Sequence, residues 1–336
     1  MNTRASLSLL AAVALLFVPG TSAPTASVAH AQAATQIRLV TLAPRGSPPY
    51  RVFTAWNNSL REQTAGRLEL HVVPGSSGDE RQFVRDLRAG TVDAAALTSI
   101  GLAQIARSVL VLQAPGVAED YPELDRVRAA LDVELRHELE SNGVVLLGWG
   151  EAGRVRVFST HPITSPAELA AAHPWQFPGD DIFGEFLHQI GATGVPLPLA
   201  GVLPALTAGT VDVVVGSATA VTALQWHTHV THVIEQSRAI LVGATVYDAA
   251  DYHALSAADR TVLDATAAQA HARLQSQMRT GDDGFYTTLT AHGITPVAAT
   301  AHDAEWRQAA QRTRDALVGR VYSRALLDRA LAAAAP

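Results

Sequence analysis

The 336-residue chain contains no cysteine and no lysine. Without cysteine it can form neither a disulfide framework nor a lipid-modified N-terminal cysteine. Without lysine, Schiff-base chemistry and the lysine of a phosphate-binding loop are excluded, and all 25 basic residues are arginine. Positive charge is scarce: the formal balance is −6, with no basic cluster, so nucleic acid is a poor partner. Long apolar runs are absent after the N-terminus. There, Arg4 precedes an apolar stretch from Leu7 to Val18, too short to span a bilayer, and Ala29-His30-Ala31 offers small residues for cleavage. Residues 1–31 therefore read as a secretory signal cut after Ala31; cutting after Ala23 is disfavoured because it places Pro24 beyond the scissile bond. A soluble, monomeric periplasmic protein is expected.

What the chain does have is a repeat. Ala-Gly-Thr-Val-Asp occurs at Ala89 to Asp93 and again at Ala208 to Asp212. Helical spacing of apolar residues precedes each copy, and a short, nearly continuous apolar run follows, Val92 to Leu97 and Val211 to Gly216. Gly90 and Gly209 then fall where a helix closes through positive φ. Two similarly built α/β halves follow from this.

The remaining elements fit that plan. Strands are expected over 36–42, 68–72, 144–149, 154–158, 194–197 and 238–246, with helices over 52–63, 122–139 and 180–190. Ser165-Pro166-Ala-Glu168 is a strong helix start. From Ser256 the helical period runs unbroken by proline to Leu289, long enough to lie along both lobes, and 303–334 closes the chain as one or two helices. The expected partition is discontinuous, with lobe I as 34–148 and 239–255, lobe II as 149–238 and 256–334, and a hinge near Trp149 and Arg238.

Four segments in order, Thr64 to Pro74, Leu87 to Asp93, Pro162 to Leu169 and Leu206 to Asp212, resemble signatures of the DctP-type solute-binding proteins of TRAP transporters. The resemblance implies an α/β type II periplasmic-binding-protein fold, a ligand cleft between two lobes, no catalysis, no cofactor, and delivery of a small organic solute to a sodium-coupled membrane permease. It also implies an arginine in the strand at Pro174-Trp175-Gln176-Phe177-Pro178, where a planar fork would clamp a carboxylate. Gln176 stands at that position. An asparagine expected shortly after the second repeat is replaced by Gly216-Ser217.

With Trp175, Phe177, Phe183 and Trp226 nearby, these departures predict a neutral or amphipathic ligand. The alternative is an organic acid held by Arg154 or Arg156. Because open α/β sheets bind ligands at the carboxyl ends of their strands, Thr41, Ala43, Thr98, Ser99, Gly150, Glu151, Ser217 and Gln225 complete the candidate lining.

Other chemistry finds little support. His227, His229 and His232 lack the further ligands that zinc wants and read as solvated or capping residues. No Gly-x-Ser-x-Gly elbow is present, which leaves a secreted hydrolase or an envelope structural protein as the remaining alternatives.

Overall fold

Each copy of the repeat does the same two jobs. Gly90 and Gly209 take φ of 68° and 69°, and the helix before each closes through a paired turn. Gly90 and Gly209 donate to the carbonyls of Leu87 and Leu206, while Thr91 and Thr210 reach back to Asp86 and Ala205. The aspartate then pins a neighbouring segment. Asp93 accepts the N–H of Arg38 at 2.7 Å and donates its own N–H to the Arg38 carbonyl. Asp212 does the same with His173, accepting at 2.6 Å.

The computed structural model describes residues 34–74 and 79–335. The expected signal segment, 1–31, and residues 75–78 lie outside these residues. The first half runs β1 (Thr35–Thr41), α1 (Pro48–Gln63), β2 (Leu68–Pro74), α2 (Glu80–Arg88), β3 (Ala94–Thr98), α3 (Ser99–Leu102) and α4 (Tyr121–Ser141). The chain then crosses on β4 (Val144–Ser159) into α5 (Pro166–Ala171), β5 (Trp175–Gln176), α6 (Asp181–Gln189), β6 (Val195–Pro196), α7 (Leu199–Ala208), β7 (Val213–Gly216), α8 (Ala218–Ala223) and β8 (His232–Ile234). It returns on β9 (Ala239–Asp248) and ends with α9 (Ala249–Ala254), α10 (Ala257–Ala291), β10 (Thr295–Val297), α11 (Asp303–Leu317) and α12 (Arg324–Ala334).

One mixed sheet has the order β10-β8-β4-β9-β3-β1-β2, with β7 also on β4. The first part of β4 pairs antiparallel with β9, and its last residues pair with β7 and β8. Thus β4 belongs to both halves. The sequence suggests two strands here, yet they are one, because Gly153 at φ 108° absorbs a register shift between Glu151 and Arg154 instead of ending the ladder.

Helices cover both faces. Val52, Trp56 and Leu60 of α1 and Leu263, Ala267 and Ala270 of α10 pack on one side of β1 and β2, while α2, α4 and α12 cover the other side around β3 and β9. In the second half, Val202 and Leu206 of α7 join Val214, Val221 and Trp226, and Leu289 near the end of α10 packs into the same group. The 35-residue α10, capped by Ser256, therefore contacts the cores of both halves. Leu326, Leu327 and Ala330 of α12 pack with α4, although the expected partition put this helix in the second lobe. An apolar stripe in a sequence does not say which of two available faces it covers.

Candidate ligand-binding site

Two contiguous cavities lie where the halves face each other. One, of about 150 Å³, is walled by Arg156 of β4, Phe183 and Phe186 of α6, Val215 of β7 and Trp306 of α11. The other, of about 180 Å³, is walled by Leu42, Glu80, Thr98 and Ser99 from the first half and by Trp175 and Phe177 from the second. Gln113, Asp180, Phe183, Val215 and Leu241 border both. Each is about the size of an engineered 150 Å³ cavity that takes up benzene, so the space suits a small molecule.

The walls are aromatic and held from behind. Trp175 meets Trp226 edge-on at 5.1 Å and Phe177 at 6.2 Å, and its indole N–H is satisfied by the Leu197 carbonyl at 2.9 Å. Phe183 stacks on Phe186, which stacks on Trp306.

Polar groups interrupt this surface, among them Arg156, Asp180, Glu80 and Ser99. Arg156 is 7% exposed; its Nε and Nη1 are buried without a hydrogen-bond partner. Its nearest countercharge, Asp282 on α10, lies 3.7 Å from Nη1, close enough to pair but too far to hydrogen bond. The guanidinium also sits 4.2 Å from the centre of the Tyr286 ring. Burial pulls its pKa down, and an arginine in such a place stays charged. Asp180 caps α6, with Oδ1 accepting the N–H groups of Ile182 and Phe183 at 3.1 and 3.0 Å, while burial pushes its carboxyl up. Glu80, also pushed up by burial, ties α2 to the β3–α3 turn by accepting from Thr98 N, Thr98 Oγ1 and Gly101 N. Ser99 Oγ is buried with no partner.

A family model for bacterial extracellular solute-binding proteins, family 7 (DctP), matches residues 39–319. The chain belongs to that family. Its members are substrate-binding receptors that serve TRAP membrane permeases, not enzymes. Solved TRAP receptors share the two-lobed fold at low identity. A Desulfovibrio desulfuricans protein with bound sn-glycerol-3-phosphate has TM-score 0.81 and 17% identity, over 90% of this chain and 98% of that one. A Ralstonia eutropha protein with bound (S)-2-acetolactate has TM-score 0.80 and 21% identity, over 89% and 98%. A Bordetella pertussis receptor binding pyroglutamic acid has TM-score 0.80 and 16% identity, over 90% and 99%.

Within this DctP-family chain the cavity wall holds Thr98, Ser99, Trp175, Phe177, Phe183 and Arg156 from the expected set. The others stand elsewhere. Thr41 is buried, its Oγ1 accepting the Ala43 N–H, and Leu42 between them is the residue at the cavity. Gln176 alternates away from its neighbours on β5 and fills the space that a Cβ on Gly184 or Gly194 would take. It packs α6 against β6 and does not line either cavity. Gly150 and Glu151 are committed to Arg128, and Glu151 also to Arg279. Arg154 covers the Tyr121 ring at 4.5 Å and pairs with Asp283 at 3.3 Å. Ser217 caps α8, Gln225 is an exposed turn residue at φ 59°, and Trp226, 2% exposed, is core behind Trp175.

Sequence reasoning missed Leu42, Glu80, Gln113, Asp180, Val215 and Leu241 as cavity residues. Of these, only Asp180 carried a usable signal: a capping aspartate opening a helix beside the aromatic segment. Among the described residues no group of three or more His, Asp or Glu is placed to hold a metal ion.

Proposed function

We propose that this receptor binds a small organic acid with an apolar body, its carboxylate on Arg156 and its body against Phe183, Phe177 and Trp175. The observation that carries the reading is the buried Arg156 guanidinium, which borders the cavity with two nitrogens lacking hydrogen bonds. Such a group in a low-dielectric wall gains strongly from a bidentate carboxylate. Each of the three neighbours described above holds a molecule with an anionic group, which favours the same chemistry.

The domain partition belongs to this proposal. Closure would rotate the halves about Trp149, within β4, and Arg238, immediately before β9, where the two shared strands cross between them. A cleaved signal over 1–31 would deliver the receptor to the periplasm.

The neutral, amphipathic reading keeps one observation in its favour: most of the cavity wall is aromatic or aliphatic. Native mass spectrometry of the receptor purified from its source separates the two. A co-purified carboxylic acid that is lost from Arg156→Gln supports the acid; a neutral molecule retained by the variant contradicts it.

A further inference from the structure

Arg156 does not face the cavity alone. Asp180 borders the same cavity, and only its Oδ1 is engaged by the α6 N-terminus. The charges around them are unequal. Asp282 already faces Arg156, Arg154 is taken by Asp283, and Arg238, the other arginine at this cavity, is taken by Asp303 at 2.9 Å and Glu119 at 3.5 Å. Asp180 on the cavity wall and Asp282 against Arg156 therefore leave this cavity with two carboxylates and one available cation.

A plain anion entering this space adds a third negative charge to one positive, and an unbalanced buried charge is expensive. A ligand carrying both signs leaves the balance as it was. We propose that the ligand is an amino acid with an apolar side chain, its carboxylate on Arg156 and its ammonium on Asp180. The side chain lies against Phe183, toward Phe177 and Trp175, and the cavity volumes limit it to roughly the size of a benzene-like group. This rests on the organic-acid reading of the cleft.

The test is calorimetry of the full mature receptor against valine, leucine, methionine and phenylalanine, each beside its 2-oxo acid, which keeps the carboxylate and lacks the ammonium. Asp180→Asn is the informative variant, because asparagine caps a helix about as well as aspartate while removing the charge. At least one amino acid should bind wild type about tenfold or more tightly than its 2-oxo acid, as expected for a charge-assisted hydrogen bond. Asp180→Asn should weaken the amino acid about tenfold and leave the 2-oxo acid unweakened. Equal weakening of both overturns the proposal, as does failure of every amino acid to bind. If the 2-oxo acids bind wild type as tightly and Arg156→Gln abolishes them, the ammonium contact falls and the acid reading stands; if Arg156→Gln changes neither class, both fall.

Discussion

Asp282 is the residue on which the geometry of Arg156 depends. It is fully buried, accepts from Arg154 N, Thr219 N and Thr219 Oγ1, and supplies the countercharge to Arg156. A Cβ on Gly153 would lie 2.6 Å from it, so glycine there leaves room for the carboxylate. Asp282→Asn should destabilise the receptor by about 3–5 kcal/mol, the cost of stranding a buried partner. In chemical denaturation, adding Arg156→Gln should recover part of that loss; strict additivity would show that the two do not interact.

His271 offers a second prediction at this scale. It is buried between Thr245 Oγ1 and the Ala267 carbonyl, against Trp56, and burial lowers its pKa to about 4. A base with a lowered folded pKa binds its proton more readily when unfolded. Its contribution is thus complete above about pH 6.5 and lost as pH falls toward 4, by roughly 3 kcal/mol. His271→Gln should flatten the stability profile across that window, and an unchanged slope would contradict the assignment.

At the scale of elements, α10 combines great length with two glycines, Gly281 and Gly284, and neither breaks it. A Cβ at Gly284 meets nothing within 4 Å. Gly284→Ala should therefore raise stability by about 0.5–1 kcal/mol through helix propensity alone; a loss would mean that the helix flexes there in the folded state. Elements like this one were legible in the sequence because their signals are local: Ser256 caps it, the apolar period continues, and no proline intervenes. The repeat was legible for the same reason, since Gly90 and Gly209 sit at fixed offsets from apolar helix residues. Short helices such as α3 and α8 were not, because four or six residues carry too little periodicity to read.

For the whole molecule, what the sequence could not supply was side-chain direction across the cleft. Gln176 fell at the residue the family resemblance singled out, but on a two-residue strand its flanking Trp175 and Phe177 take the cavity face, and Gln176 packs between α6 and β6. Arg154 and Arg156, two residues apart on one strand, share a face, and only their neighbours divide them: Tyr121 and Asp283 claim one, whereas the other reaches the cavity. A two-residue strand carries too little pattern to show which way its side chains face, and the division of the arginines depends on a partner as distant as Asp283, 129 positions from Arg154. These placements shift the expected ligand from a neutral molecule toward an acid. The most direct measurement is calorimetry of the mature receptor with an apolar-bodied monocarboxylic acid and its primary amide, matched in shape. The acid should bind about tenfold or more tightly, and Arg156→Gln should erase the difference; an amide that binds wild type as well as the acid would contradict the account.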